Sequence, residues 1–397
     1  GAAMARRWSI NGRFVTQPLT GVQRYAREIV TALDHWLAEA HPLARGLSVE
    51  LLVPPSAAGD LPRLEAIRVR SVGRLRGHAW EQVELPAHAR GGLLSLCNTG
   101  PLLARRQIVC LHDVNTRTHP QSYALPFRLL YRGLHPALGR TAARVATVSQ
   151  HSAAQLAALG IAGRDKIAVI PNGYEHVLAW RPRHSEITRS AAGPRTVVVL
   201  GSPAPHKNVA LVLGLADRLA AAGLTVAVVG ERDARVFRDA AAPAAAAGNV
   251  LWLGRLPDDE LAALLRDSLC LAFPSLAEGF GIPPLEAMTL GCPVVASDRA
   301  SLPEVCGDAA LYASPEDADA WLASFLRLAG DERLRADLVR RGDARARRFS
   351  WRASAVLYLQ AMAEVDGIAA VPSAAGQLRR AASSAATPAS AISEKAP

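Results

Sequence analysis

Several common signals are missing from this sequence of 397 residues. Its five cysteines include no C-x-x-C pair and mostly lie in apolar stretches, which predicts reduced core thiols rather than disulfides. No secretory signal is evident, and no uncharged apolar run is long enough to span a bilayer. We therefore expect a cytoplasmic protein without a membrane-spanning helix.

Familiar motifs for nucleotide and metal binding are missing as well. No G-x-G-x-x-G follows the first predicted strand, which argues against a nicotinamide-dependent dehydrogenase. No G-x-x-x-x-G-K-[ST] is present, which argues against a P-loop enzyme. No Asp-x-Asp metal site is evident, so we expect neither a metal requirement nor a cofactor.

The chain carries an excess of positive charge, +10 at pH 7, which predicts an anionic partner. Between residues 101 and 150 the one acid is Asp113, whereas the basic residues are Arg105, Arg106, Arg117, Arg128, Arg132, Arg140 and Arg144. Such a cluster is either a solvated helical face or a surface for anionic lipid or a lipid-diphosphate acceptor, at the inner face of the membrane. Nucleic-acid binding is the non-enzymatic alternative, but 5% aromatic content and dispersed basic residues give no aromatic-rich basic face.

Strand-like and helix-like segments alternate along most of the chain, with a break near residues 175–193 where Pro, Arg and Ser gather. This length and rhythm predict an α/β protein of two doubly wound, Rossmann-like domains that face each other across a cleft. We assign residues 5–180 to an acceptor-side domain and residues 190–348 to a nucleotide-sugar-binding domain. An amphipathic helix follows at 349–366, and the Ala-, Ser- and Pro-rich residues 368–397 are expected to be disordered.

One segment, PSLAEGFGIPPLEAMTLGCPVVASD at residues 274–298, is the most informative. It predicts the end of a buried strand, a glycine loop, and a helix whose first turn contains Pro283 and Pro284. A helix start after such a loop presents free N–H groups and a positive dipole end, which suit a phosphate. Glu278 in the loop and Glu286 in the helix flank this start, with seven residues between them.

This segment resembles the Glu, seven residues, Glu signature of the family 4 retaining glycosyltransferases, which have the GT-B fold. In that family the first Glu lies beside the donor sugar, and the second bonds the ribose hydroxyls of the nucleotide. The resemblance assigns these roles to Glu278 and Glu286. It also places the donor sugar and phosphate against the backbone of Gly279–Gly281, which includes Phe280, and beside Leu285. A carboxylate can accept two hydrogen bonds from a vicinal diol, which makes the assignment chemically sensible.

Two phrases in the first half of the chain extend the resemblance. TGVQRYA is similar to the donor-side loop of the family, where Gly21 would approach the diphosphate. VCLHDV is similar to the family's strand-end histidine, which lies close to the donor sugar. His112 and Asp113 would stand at a carboxyl edge, where α/β sheets hold their ligands. The alternatives are a turn glycine and a structural histidine.

Two loops in the second half complete the predicted donor site. The loop at residues 201–208 contains Ser202, His206 and Lys207, and it resembles the loop with which family members hold the diphosphate. Family members usually carry Arg then Lys there, so His206 is a departure, because a neutral imidazole offers less charge. Gly254 and Arg255 would border the nucleotide base at another strand end.

The resemblance implies transfer of a sugar from a nucleotide diphosphate sugar to a hydroxyl, with the anomeric configuration retained. Lys207 and the helix start would stabilise the leaving diphosphate. GDP-mannose is the first expected donor and a UDP-sugar the second, and the acceptor would be a glycan or lipid-linked glycan of bacterial polysaccharide or lipopolysaccharide. The enzymatic alternatives are a sugar-nucleotide epimerase or a glycan phosphorylase, although no marker for pyridoxal phosphate is visible.

Overall fold

The computed structural model describes residues 2, 4–57, 59, 61–231 and 248–368 of the chain. The predicted disordered tail lies outside these described residues from 369 onward. Two parallel β-sheets organise the fold, one in each half of the chain. We call the first sheet and the helices packed on it the N-lobe, and the second sheet with its helices the C-lobe.

The N-lobe sheet has seven strands in the order β3-β2-β1-β4-β5-β6-β7. They are β1 Arg6–Asn11, β2 Leu47–Val53, β3 Arg68–Ser71, β4 Gly92–Ser95, β5 Gln107–Cys110, β6 Arg144–Thr147 and β7 Ile167–Val169. In the centre, Ile10 pairs with Leu51 on one side and Leu94 on the other. All three side chains are buried, as expected for parallel strands covered on both faces.

The C-lobe sheet has six described strands in the order β10-β9-β8-β11-β12-β13. They are β8 Thr196–Leu200, β9 Thr225–Val229, β10 Val250–Gly254, β11 Cys270–Phe273, β12 Val294–Ser297 and β13 Ala310–Ala313. In each sheet the strand order reverses beside the first strand, between β1 and β4 and between β8 and β11. Such switch points open a crevice at the carboxyl ends of the strands.

Eight helices of eight residues or more lie in the described ranges. They are α1 Gly21–Ala38, α2 Leu125–Thr141, α3 Gln150–Ala158, α4 Asp258–Arg266, α5 Ile282–Thr289, α6 Ala318–Gly330, α7 Glu332–Ala346 and α8 Trp351–Val365. Shorter helices span Gly77–Ala79, Leu85–His88, Asn115–Thr118, Glu175–Leu178, Glu186–Ala191, Val209–Leu213, Ala216–Ala221 and Leu302–Cys306. None of the helices in the described ranges combines the length and apolar character needed to cross a bilayer.

The last helix, α8, follows the C-lobe in sequence but packs against α1 of the N-lobe. The hydroxyl oxygens of Tyr25 and Tyr358 lie 2.7 Å apart in this buried contact. At the end of α8, Asp366, whose side chain is 4% exposed, accepts a hydrogen bond of 2.6 Å from Nε of Arg6. Because α8 crosses to the N-lobe, residues near the two ends of the described chain contact each other.

Short elements lie between the named strands. Between β2 and β4 the chain forms strand β3 and a helical turn that includes Trp80. After β8 it forms two short helices, of which the first ends at Leu213 and the second begins at Ala216. The prediction of reduced cysteines is confirmed: all five are free, and four are buried.

Candidate active site

The two lobes meet where the glycine loop after β11 contacts the end of β5. A Cβ atom on Gly279 would lie 2.3 Å from the carbonyl oxygen of His112, so only glycine allows this approach. Ser152, near the start of α3, places Oγ 3.0 Å from the oxygen of His112 and 3.3 Å from that of Gly279. Glu304 of the C-lobe accepts hydrogen bonds from the N–H groups of Gln150 and His151 at the same helix start.

The loop between β11 and α5 is shaped by local hydrogen bonds. Gly281 has φ +104°, a left-handed conformation that favours glycine. Ser301 is turned toward the loop, and its Oγ lies 2.8 Å from the carbonyl oxygen of Glu278 and 2.7 Å from that of Phe280. These bonds hold the carbonyl groups on the protein side. Within the described residues, the N–H groups of Phe280, Gly281 and Ile282 have no acceptor, so they can receive an anion.

A second helix start faces this one. Gly21 is the first residue of α1, and a Cβ atom there would lie 3.6 Å from Cγ2 of Ile282, the first residue of α5. The N-terminal ends of two helices from different lobes thus lie close together. Because both ends carry partial positive charge, the space beside them favours a diphosphate.

Lys207 and Glu278 form an ion pair at the base of this crevice. Nζ of Lys207 lies 2.5 Å from Oε1 of Glu278, and Oγ of Ser275 donates to the same carboxylate oxygen at 2.8 Å. The ammonium group also lies 5.7 Å from the centre of the Phe273 ring. The lysine side chain is 32% exposed and that of Glu278 12%, so a ligand can reach both.

Asp113 is half-buried and lies close to this pair. Burial raises the pKa of its carboxyl group, and the hydrogen bond from the N–H of Asn115 opposes that shift. Glu278 raises the same pKa further and Lys207 lowers it, so the three groups share one electrostatic environment. Burial, followed by the charge of Asp113, also raises the pKa of the Tyr123 hydroxyl, which belongs to the same group.

His112 is a buried, neutral imidazole. Its Nε2 lies 2.8 Å from the carbonyl oxygen of Leu96, and this contact requires the proton on Nε2. Burial lowers the pKa of His112 to about 4. The ring packs edge-on against Tyr25, with 4.6 Å between ring centres. His112 therefore acts as a polar, uncharged wall at neutral pH.

His206 contacts the opposite lobe. Its Nδ1 lies 2.7 Å from Oγ of Ser122, and its ring stacks on Tyr123 at 6.2 Å. Burial lowers the pKa of His206 to about 4, and the neighbouring Lys207 adds to this effect. His206 is neutral at pH 7, so Lys207 is the charged member of the pair.

Glu286 also points toward the interface between the lobes. Oε2 of Glu286 lies 2.8 Å from Nε2 of His176, in the segment that joins the lobes. The glutamate side chain is 13% exposed. The side chain of Leu285 is fully buried, so this predicted donor residue can offer a ligand its backbone alone. Phe280 is buried too, with its ring edge-on to Phe349 at 5.3 Å.

Comparison with known proteins identifies the C-lobe. Residues 181–345 match the family model of the glycosyl transferases group 1. This part of the chain is a group 1 glycosyltransferase domain. The match includes Lys207, Glu278 and Glu286, so the ion pair and the start of α5 belong to the group 1 domain. The match confirms the predicted family over residues 181–345.

Named relatives align with parts of the chain. It is 46% identical over 104 residues to O-antigen chain mannosyltransferase B of Escherichia coli, covering 26% of this chain and 27% of that protein. It is 28% identical over 229 residues to O-antigen chain mannosyltransferase RfbU of Salmonella typhimurium, covering 57% of this chain and 62% of that protein. The alignments thus span less than two thirds of either relative.

A solved structure resembles both lobes together. Sucrose-phosphate synthase from Thermosynechococcus elongatus superposes with a TM-score of 0.67 at 17% identity, covering 91% of this chain and 99% of that one. This likeness, with the two parallel sheets, confirms the predicted GT-B fold.

Three predicted donor residues of the group 1 domain bond partners other than the Lys207–Glu278 pair. Gly254 accepts a hydrogen bond from the N–H of Gly230, and Arg255 pairs with Glu231 at 3.3 Å on an exposed surface. Oγ of Ser202 accepts a bond from the N–H of Ala204. Among the described residues, no hydrogen bond or ion pair joins these three to the Lys207–Glu278 pair.

Sequence reasoning missed several residues that shape the site. Ser122 and Ser152 lie in the N-lobe and His176 in the stretch taken as linker, and nothing in their local sequence distinguishes them.

The sequence does contain one Asp-x-Asp, at Asp317 and Asp319. Asp317 caps α6, and Asp319 pairs with Arg218 at 2.6 Å, so neither is directed to the crevice ion pair.

Proposed function

We propose that this protein is a retaining glycosyltransferase that moves a sugar from a nucleotide diphosphate sugar to a hydroxyl of a glycan or lipid-linked acceptor. The observation that carries the proposal is the Lys207–Glu278 ion pair beside the start of α5, with Glu286 on the same helix. The lysine and the free N–H groups match the diphosphate of such a donor. Glu278 matches its sugar, and Glu286 matches its ribose.

The leaving group sets the main electrostatic demand of this reaction. As the bond between the anomeric carbon and the diphosphate oxygen breaks, negative charge grows on the diphosphate. Lys207 and the N–H groups of Phe280–Ile282 stabilise that charge. The acceptor oxygen bonds the anomeric carbon on the same face, and its proton passes to the departing diphosphate oxygen. No carboxylate nucleophile is needed for retention on this route.

The remaining residues hold the sugar. Oε1 of Glu278 is engaged by Lys207 and Ser275, which leaves Oε2 to accept hydrogen bonds from sugar hydroxyls. Neutral His112 lines the reacting face, and Asp113 lies beside the acceptor side. The second carboxylate, Glu286, accepts hydrogen bonds from the ribose hydroxyls. No metal or cofactor takes part in this scheme.

We favour GDP-mannose as the donor, and a UDP-sugar is the alternative. The support is that both reported relatives are named O-antigen chain mannosyltransferases. Their names also favour an acceptor of bacterial polysaccharide or lipopolysaccharide assembly.

A membrane contact through the N-lobe fits such an acceptor. The first turns of α2 expose the side chains of Leu125, Phe127 and Leu129, and Arg132 on the same helix is exposed as well. Apolar side chains interleaved with arginines suit the surface of an anionic bilayer. Co-sedimentation with vesicles containing phosphatidylglycerol tests this: binding should fall as salt rises, and salt-independent binding or none would refute the contact.

The donor is tested by thermal unfolding in a panel of nucleotide sugars, followed by a transfer assay with the best stabiliser. We expect GDP-mannose to raise the unfolding temperature most, and activity to persist in EDTA. Nuclear magnetic resonance of the product should show the anomeric configuration of the donor. An inverted product would disprove the retaining mechanism, and an isomerised nucleotide sugar would indicate an epimerase.

A further inference from the structure

His176 lies between Trp351, at the start of the crossing helix α8, and Glu286 of the group 1 domain. Nε1 of Trp351 is 3.0 Å from Nδ1 of His176, and Nε2 of His176 is 2.8 Å from Oε2 of Glu286. His176 and Trp351 are both buried, with 6% and 2% exposure. The three side chains come from the segment between the lobes, from α8 and from α5.

The direction of both hydrogen bonds follows from the chemistry of the donors. An indole Nε1–H can donate a hydrogen bond and cannot accept one. Nδ1 of His176 is therefore the acceptor and carries no proton. The neutral imidazole must then hold its proton on Nε2, where it donates to Glu286. Trp351 thus selects the imidazole tautomer that can bond the carboxylate.

We propose that His176 is a positioning residue, held in one tautomer by Trp351, that fixes Glu286 to receive the ribose hydroxyls of the donor. This inference rests on the proposed function, in which Glu286 binds the ribose. With Oε2 held by His176, the carboxylate presents Oε1 in a constant orientation. A carboxylate that need not be reoriented on binding loses less entropy when the ligand arrives.

The neighbouring residue ties the same segment to α8. Oε1 of Glu175 accepts a hydrogen bond of 2.8 Å from the N–H of Trp351, and Oε2 accepts one of 3.1 Å from that of Arg352. Glu175 thus caps the start of α8, while His176 faces Glu286. If α8 shifted against the segment between the lobes, Glu175 and His176 would both move. Docking of α8 and affinity for the nucleotide are therefore coupled.

The test compares dissociation constants for GDP and UDP with those for their 2′,3′-dideoxy forms, by titration calorimetry. His176→Ala should weaken binding of the better ribonucleotide roughly tenfold, the effect of losing a hydrogen bond to a charged group. The same variant should bind the dideoxy form as wild type does, because the diol that Glu286 receives is missing.

Two matched controls separate this role from general damage. His184→Ala removes a histidine from the same segment, one that bonds Asp267 at 2.6 Å and not Glu286. Trp36→Phe removes an indole N–H that bonds α8 through the oxygen of Arg352. Both variants should bind nucleotides as wild type does, whereas Trp351→Phe should reproduce part of the His176→Ala loss.

A double-mutant cycle decides the outcome. In the Glu286→Ala background, His176→Ala should have no further effect on the dissociation constant, because its target is gone. Equal losses with and without Glu286, or equal losses for the ribo and dideoxy nucleotides, would overturn the inference. Failure of wild type to bind either diphosphate would instead refute the proposed function.

Discussion

Nδ1 of His206 and Oγ of Ser122 lie 2.7 Å apart across the crevice between the lobes. The N–H of His206 also donates to the same Oγ, at 3.4 Å, so the backbone and the side chain of His206 both contact one serine hydroxyl. At the position where the resemblance predicts a cation beside the diphosphate, this chain has a histidine that links the two lobes.

His206→Arg should therefore remove a contact between the lobes and add a positive charge beside the diphosphate. We expect nucleoside diphosphate binding to tighten about tenfold, because a charged donor gives stronger hydrogen bonds to phosphate than a neutral one does. Titration calorimetry measures the change. Ser122→Ala is the control: it loses the contact without gaining charge, and tighter binding there would contradict the explanation.

Lys207→Ala should mainly lower turnover, because in the proposed mechanism the lysine stabilises charge that develops on the leaving diphosphate. We expect kcat to fall about 100- to 1000-fold, the range found when a donor to a developing anion is removed. Glu286→Ala should instead raise the donor KM about tenfold, because ribose bonds are made equally in the ground and transition states.

Steady-state kinetics with varied donor distinguish the two effects. Lys166→Ala serves as a control, because that side chain bonds the oxygens of Gly139 and Arg140 in the N-lobe. Unchanged kinetics in both Lys207→Ala and Glu286→Ala would disprove the site assignment.

Gly279→Ala should prevent the close approach of the lobes. The new Cβ atom would lie 2.3 Å from the oxygen of His112, so the loop or the strand end must move. A displacement of about 1 Å at a reacting centre can cost 100-fold in rate, and we expect kcat/KM to fall by about that factor. Gly330→Ala, where nothing lies within 4 Å, should keep wild-type kinetics, and normal kinetics for Gly279→Ala would contradict the close contact.

Because two buried histidines are held neutral, we expect the free energy of unfolding to fall as the pH decreases. Burial lowers the pKa of both His112 and His135 to about 4. Between their ordinary pKa of 6.5 and 4, the unfolded chain binds protons that the folded protein does not, so the free energy of unfolding decreases as the pH is lowered. Between pH 7 and 5 this amounts to about 2 kcal/mol for each of these two residues.

Urea unfolding at several pH values measures this dependence. His135→Gln should reduce the slope of the free energy against pH by about one proton between pH 6 and 5. A slope unchanged in this variant, or a free energy that rises on acidification, would show that these histidines are not held neutral.

Much of the fold was predictable because parallel strands buried on both faces appear as apolar runs. β8 and β11 are examples, and each is followed by a loop and a helix. β3, with the sequence RVRS, was missed because it lies at a sheet edge and is partly exposed. No apolar pattern distinguishes such an edge strand from a loop.

The candidate site likewise contains residues that the sequence predicts and residues that it does not. Glu278 and Lys207 were identified from motifs that specify backbone shape and charge locally, and the structure brings them together. His176 and Ser122 act through contacts with residues 110 and 84 positions away. No local pattern reports such a contact, because it depends on how the lobes pack.

The crossing of α8 has a consequence for shortened forms of the protein. A chain that stopped at residue 345, where the family match ends, would lose Asp366. The guanidinium of Arg6, 4% exposed, and the indole N–H of Trp8 both donate to that carboxylate. Truncation would leave the guanidinium of Arg6 buried without its carboxylate, so the shortened chain should be less stable than the full one.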